Sequence, residues 1–244
     1  MAIAAEHPGK FEAPREMAIP GTHDAVMRVL ARHLAPSSHG RVLDVGAGAG
    51  ALSLKMHKAG YKVSACDLVP DIFRCVGIEC REVDAHGVMP FENNQFDAVV
   101  AIELVEHLDG HRKLFSEAAR VLKPGGFLLF STPNILSLKS RIMFLFTGYF
   151  YSFPPLDPTV DAPISQHIAS FTLDRYRFML GRCGLKLDEL TTDKMQGTSM
   201  AWGWLWPLIK LFTRMKYGGT ANVREQNSTP ALFGRKLMVV ARKP

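Results

Sequence analysis

The stretch Val42-Leu43-Asp44-Val45-Gly46-Ala47-Gly48-Ala49-Gly50 constrains the fold more than any other part of this chain. A short apolar run ends in a carboxylate and then carries glycine at alternate positions. Glycine reaches backbone conformations closed to other residues and lets a ligand approach the main chain. Strand, glycine loop and helix in that order form a nucleotide-binding crossover. The spacing is G-x-G-x-G, not the G-x-G-x-x-G of dinucleotide enzymes, and no Lys-Ser or Lys-Thr pair follows to make a triphosphate loop. Asp44 suits a ligand with a positive or hydroxyl-rich end better than a pyrophosphate. Alone, the stretch also reads as a plain tight strand-to-helix turn.

The segments that follow narrow the choice. Ala51 to Ala59 reads as a helix closed by Gly60, and Tyr61 to Cys66 as a second strand ended by Asp67. Asp67 follows Asp44 by 23 residues, close to the ~20-residue offset at which nucleotide folds present a carboxylate to ribose hydroxyls. Arg81 to Ala85 reads as a short third strand. Gln95 to Ile102 reads as a fourth, near-continuous in apolar residues as buried parallel strands are. Gly110 to Leu122 has helical spacing, Lys123-Pro-Gly-Gly126 is a type II turn signal, and Phe127 to Ser131 a fifth strand. His23 to Leu34 reads as a helix with Thr22 as N-cap, and Phe171 to Cys183 as one bounded by Thr172 and Gly184. Leu185 to Thr191 and Leu237 to Ala241 complete a set of seven strands.

Taken together, Asp44-Val-Gly-Ala-Gly-Ala-Gly50, Asp67, Val83-Asp84-Ala85, Phe96-Asp97-Ala-Val-Val, Glu106-His107-Leu108 and Leu122-Lys-Pro-Gly-Gly126 resemble the class I S-adenosylmethionine-dependent methyltransferases, in the branch of ubiquinone- and menaquinone-pathway enzymes. The resemblance is firm over residues 20–135 and loose beyond. It implies an α/β fold: a Rossmann-like three-layer sandwich with a seven-stranded, mostly parallel sheet, an antiparallel last strand, and apolar helical insertions after strands five and six. It implies S-adenosylmethionine as cofactor. Gly46, Ala47, Gly48 and Gly50 would approach its methionine part, with Asp44 near the amino group. Asp67 would hold the ribose hydroxyls and Leu68 the adenine face. Asp84 and Ala85 would meet the adenine edge, and Ile102 and Glu103 would open onto the methyl group. The chemistry agrees, since carboxylates accept hydrogen bonds from a diol and attract an ammonium; a strand-end cap or salt bridge is the structural alternative for Asp67.

The length, 244 residues, suits one α/β domain spanning 1–244, with residues 1–20 as a flexible arm and 135–170 and 194–234 as lid insertions on the acceptor side. Met1 to Glu16 is polar and charged, unlike a signal peptide. Cys66, Cys75, Cys80 and Cys183 form no C-x-x-C pair and read as free thiols in a reducing cytoplasm. A net charge of +6 permits an anionic partner. The cations are dispersed, no RNA-binding motif appears, and no Asn-Pro-Pro-Tyr-like motif follows the fourth strand, so a nucleic-acid substrate is not expected.

Two stretches are too apolar for ordinary loops. Ile135 to Phe153 places Leu138, Ile142, Leu145, Phe146 and Tyr149 on one helical face; Met200 to Tyr217 holds Trp202, Trp204 and Trp206, then a stripe of Leu208, Leu211, Phe212 and Met215 flanked by Lys210 and Arg214. Their uncharged windows fall short of the ~20 residues a spanning helix needs. A lid over the acceptor pocket, peripheral contact of 200–217 with the inner face of a membrane, and a dimer interface all stay open.

These readings converge on methyl transfer to a small or lipid-like acceptor at oxygen. Transfer to nitrogen or carbon of another metabolite, or a non-catalytic cofactor-binding role, are the alternatives. An oxygen acceptor must lose its proton, and His is the common base. His167, between the fifth strand and the next helix, is the candidate; a pocket-wall or capping role is the plainer reading. His107 reads as a loop-orienting residue, and His23 begins the first helix. Glu103-Leu-Val-Glu106-His107 resembles the Glu-x-x-Glu-His that holds a divalent cation in some ubiquinone-pathway O-methyltransferases; no metal is expected here. The sequence leaves the acceptor's identity and the oligomeric state open.

Overall fold

A computed structural model describes residues 14–160 and 165–244. Its centre is a seven-stranded sheet in the order β3-β2-β1-β4-β5-β7-β6, with strands β1 Arg41–Val45, β2 Lys62–Asp67, β3 Cys80–Glu82, β4 Phe96–Ala101, β5 Leu122–Pro133, β6 Lys186–Thr191 and β7 Lys236–Arg242. β7 runs antiparallel to both neighbours, and the pairings among β1 to β5 are parallel. This is the sheet the sequence resemblance implies.

Period-two alternation splits the strand side chains between two cores. Phe127 and Leu129 of β5 pack with Val42, Val100 and Val240 under α1 Thr22–His33 and α2 Ala51–Lys58. Leu128 and Phe130 pack on the other face with Leu43, Val99 and Val239, under α3 His111–Val121. Two connections carry the remaining helices. Between β5 and β6 lie α4 Leu138–Thr147 and α5 Leu173–Arg182; between β6 and β7 lie α6 Gly197–Ala201, α7 Trp206–Tyr217, α8 Ala221–Glu225 and α9 Thr229–Phe233.

Several boundaries differ from the sequence reading for local reasons. Gly21 takes the N-cap of α1, and Thr22 lies inside the helix without a capping bond. Ala59 closes α2 and Gly60 follows it. β3 stops at Glu82 because Asp84 forms an Asx turn, its Oδ1 accepting the His86 N–H at 2.8 Å. Lys123 to Gly126 is not a separate turn ahead of the fifth strand: β5 begins at Leu122 and takes it up as a bulge, Phe96 pairing with Leu122 and Ala98 with Phe127. The Thr172 cap of α5 is as expected, its Oγ1 accepting the Arg175 N–H at 3.3 Å.

Residues 1–13 of the expected arm lie outside the described residues. The described part is tied down by the ion pair of Glu16 with Lys55 at 2.6 Å.

Beyond Leu138, most of both apolar stripes lies exposed. Leu138 and Ser140 of α4 are buried, but the second half of the helix is exposed around its circumference. In α7, Trp206, Ile209 and Thr213 face the protein, while Leu208, Leu211, Phe212 and Met215 face outward.

Candidate active site

The sheet order reverses between β1 and β4, so their carboxyl ends open a crevice where α/β folds place ligands. The glycine loop leaves β1 on one side of it, and residues Ile102 to His107 leave β4 on the other.

Gly46, Gly48 and Gly50 have φ of +72°, +53° and +90°, a region costly to residues with a Cβ. Side chains there would also collide: a Cβ on Gly50 would lie 2.8 Å from Cys75 Sγ and Phe73 Cε2, and one on Gly48 2.8 Å from Met17 Sδ. Ala47 donates its N–H to the Cys66 carbonyl, as Gly46 does. Beneath the loop, Asp44 is buried and accepts the Ser53 hydroxyl at 2.6 Å. Burial pushes its pKa up to about 6. Asp44 therefore braces β1 against α2 from below.

Asp67 ends β2 under the loop. Its Oδ2 accepts the Gly48 N–H at 2.8 Å and its Oδ1 the Val69 N–H at 2.9 Å. Each oxygen can accept a further bond. Leu68 and Val69 beside it are exposed, an apolar bed next to the carboxylate. Asp84, also exposed, is held by His86, whose main-chain N–H is the main cause of its lowered pKa, and Ala85 follows half-buried. The cradle fits an adenosyl group: bare backbone, a carboxylate for a diol and an apolar bed for a ring.

Across the crevice, Ile102 is buried and Glu103 turns the chain at φ +53°. Three contacts hold this unusual conformation. The Glu103 N–H donates to Ser131 Oγ at 3.0 Å, Ser131 donates to Glu103 Oε1 at 2.8 Å, and the buried Lys236 ammonium pairs with Oε2. Leu104 then faces the glycine loop, 3.2 Å from where a Gly46 Cβ would stand.

The turn Val105–His107 brings the histidines together. The Glu106 carbonyl accepts the Ile168 and Ala169 N–H groups at 2.9 and 3.0 Å, pinning the distant His167 segment to it. The rings of His107 and His167 stand 4.9 Å apart at 70°. His107 Nδ1 meets the Gln166 carbonyl at 2.8 Å, and His167 Nδ1 the Ser152 carbonyl at 2.6 Å. A carbonyl only accepts, so each Nδ1 carries a proton, and Nε2 is the nitrogen left to take part in proton transfer. Burial lowers the His107 pKa. Glu106 is fully buried, and neither carboxylate oxygen has a partner among the described residues. Burial, then the Glu103 charge, raises its pKa well above the usual carboxylate range.

Glu106, His107 and His167 each offer one ligand atom within 4.8 Å of the others, a donor set compatible with a divalent cation. Glu103, which the sequence motif groups with Glu106 and His107, is engaged elsewhere by Ser131 and Lys236.

Beside His167 lies a cavity of about 510 Å³ walled by Phe144, Tyr149, Phe150, Phe153 and Leu156. A larger hollow of about 630 Å³ lies under Arg41, Arg81 and Gln95 near the amino ends of β1 and β4, and no expected site residue lines it. Sequence reasoning missed Ser53, Ser131 and Lys236, whose roles depend on contacts between distant segments, and Met17, which sits over the loop. Glu106 was legible only as part of a motif.

Comparison with known proteins supports the fold and the methyltransferase class. Residues 43–130 match the family described as methyltransferase domain. The chain is 36% identical over 103 residues to a ubiquinone biosynthesis O-methyltransferase of Xanthomonas oryzae pv. oryzae, covering 38% of this chain and 43% of that protein. It is 27% identical over 175 residues to a demethylmenaquinone methyltransferase of Tropheryma whipplei, covering 65% and 72%. The first of these matches spans less than half of the relative's length. Among solved structures, a SAM dependent methyltransferase from Archaeoglobus fulgidus superposes with a TM-score of 0.57 at 21% identity, covering 91% of this chain and 95% of that one.

Proposed function

We propose that this chain, which belongs to the class I S-adenosylmethionine-dependent methyltransferases, binds S-adenosylmethionine on its glycine loop and methylates an oxygen of a small, lipid-like aromatic acceptor. One observation carries the reading. The Ile102–His107 turn is shared by two sites: Leu104 abuts the glycine loop and His107 abuts His167 at the aromatic cavity. The names of the quinone-pathway relatives support a ring-and-tail acceptor, and an aromatic-walled cavity suits one.

In this reading Asp67 holds the ribose hydroxyls, Leu68 lies along the adenine, Asp84 and Ala85 meet its edge, and Gly46, Ala47 and Gly48 let the methionine part approach the backbone. When bound, the cofactor supplies a methyl carbon on a sulfonium, an already activated leaving group. The protein's task is then to align the acceptor oxygen, exclude water and take a proton. Phe144, Tyr149, Phe150 and Phe153 hold the acceptor ring. His167 Nε2, with His107 Nε2 beside it, accepts the hydroxyl proton as the oxygen–methyl bond forms and the carbon–sulfur bond breaks. The cavity beside His167 favours an enzyme over a non-catalytic binding protein.

The partnerless oxygens of Glu106 favour a second reading of the same trio. Glu106, His107 and His167 would hold a divalent cation, which would polarise the acceptor oxygen as a Lewis acid. Incubation with methyl-labelled cofactor and a panel of isoprenoid-tailed phenols and hydroquinones tests the proposal. Labelled methyl ether supports it, and label only on nitrogen or carbon contradicts it. Loss of turnover on chelation, restored by one added divalent metal, selects the cation reading.

A further inference from the structure

We propose that α4 and α7 together form a docking platform for an anionic lipid bilayer, lying in its interface and opening the aromatic cavity toward it. The delivery of an acceptor from the bilayer rests on the function proposed above; the docking itself does not.

The platform is one structure built from two insertions. Arg141 of α4 donates to Asn227 Oδ1 at 2.7 Å, and Asn227 Nδ2 donates to Thr213 Oγ1 of α7 at 3.1 Å. On α4, Leu145 and Phe146 are 73% and 79% exposed; on the α7 side, Trp204, Phe212 and Met215 are 64%, 67% and 73% exposed. Large apolar side chains this exposed on adjoining segments mark a contact surface.

Charge identifies the occupant. Residues 118–156 and 194–224 contain no Asp or Glu, although the chain has 23 acidic residues in all. They do carry Lys139, Lys210, Arg214 and Lys216, and none of these forms an ion pair among the described residues. Three of the ammonium groups rest on aromatic rings instead: Lys139 on Tyr151 at 3.2 Å, Lys210 on Trp206 at 4.0 Å and Lys216 on Tyr217 at 5.7 Å. Aromatic rings with cations beside them and no anions match the headgroup boundary of an anionic leaflet. A second copy of this chain would bring the same cations to the interface and no acidic partner for them in these segments, so charge disfavours self-association.

Geometry sets the depth. No helix of the described residues is long and apolar enough to cross a membrane. A helix of 12 residues such as α7 spans only about 18 Å, so these helices would lie in the interface. Phe144, Gly148, Tyr149 and Phe150 at the outer end of α4 also wall the cavity beside His167. A lipid-like acceptor could then enter from the leaflet without crossing water.

Flotation with vesicles of equal parts phosphatidylglycerol and phosphatidylcholine, against phosphatidylcholine alone, tests the platform. The wild type should float with the anionic vesicles, less so at high salt. Phe146→Ser with Phe212→Ser should weaken binding at least tenfold, and Lys210→Glu with Arg214→Glu should abolish the anionic preference. Cofactor titration calorimetry on the same proteins should be unchanged, because neither pair touches the glycine loop. No binding of the wild type, or equal binding by the apolar variant, would overturn the platform, as would a dimer dissolved by that variant without vesicle binding. Loss of cofactor binding in the wild type would instead count against the proposed function.

Discussion

His107 and His167 stand edge to face, 4.9 Å between ring centroids, with 59 residues of chain between them and each Nδ1 fixed on a main-chain carbonyl. With both Nδ1 atoms so engaged, the two rings keep Nε2 for chemistry, and His167 lines the aromatic cavity. Replacing His167 by Ala should lower turnover about a hundredfold or more and leave the cofactor dissociation constant within twofold or so. Steady-state kinetics with cofactor calorimetry checks this. Full turnover at saturating acceptor would remove His167 from the reaction.

Asp67 should be felt in binding. Its carboxylate is a charge-assisted acceptor at the cradle, so Asp67→Ala should cost roughly 1.5–3 kcal/mol of cofactor affinity, more than tenfold. The Gly48 and Val69 N–H groups also lose their acceptor, so a modest drop in thermal stability should accompany it. An unchanged dissociation constant in a folded variant would confine Asp67 to bracing the loop.

Gly50→Ala tests the loop backbone. At φ +90°, with Cys75 and Phe73 2.8 Å from the added carbon, the variant should lose roughly 1–3 kcal/mol of stability. Denaturant unfolding measures it; wild-type stability would mean that the loop relaxes freely.

The glycine loop, Asp67 at the end of β2 and the succession of strands along the chain were legible because each depends on local sequence: backbone freedom, a strand end, runs of apolar residues. Glu103 was placed correctly after β4, but its left-handed turn needs Ser131 and Lys236, which arrive from β5 and β7. The insertions show a different limit. Periodicity found the stripe of Leu208, Leu211, Phe212 and Met215, but an amphipathic pattern does not state which medium its apolar side meets. Periodicity also does not register that the stripe lies in a segment, 194–224, without acidic residues, on which the proposed docking rests.

Acid stability should depend on His111. It is buried among Phe115, Phe171 and Tyr176, and burial lowers its pKa from 6.5 to about 4. Between those values the unfolded chain binds a proton that the folded chain does not, so stability falls as pH drops through the window, by up to about 3 kcal/mol. Asp44 acts oppositely: with its pKa raised to about 6, the folded chain retains a proton that the unfolded chain releases, and stability falls as pH rises toward 6. His111→Phe should flatten the acid loss in urea unfolding measured across pH, and Asp44→Asn should steepen it. An unaltered slope in His111→Phe would mean that His111 is reached by solvent.

Calorimetric titration with S-adenosylmethionine, its demethylated product S-adenosylhomocysteine, and NAD tests most directly whether the glycine loop and Asp67 form a methyl-donor site. Binding of both sulfur ligands at one site per chain, with no heat from NAD, is the expected result. Tight binding of NAD with no heat from either sulfur ligand would contradict it.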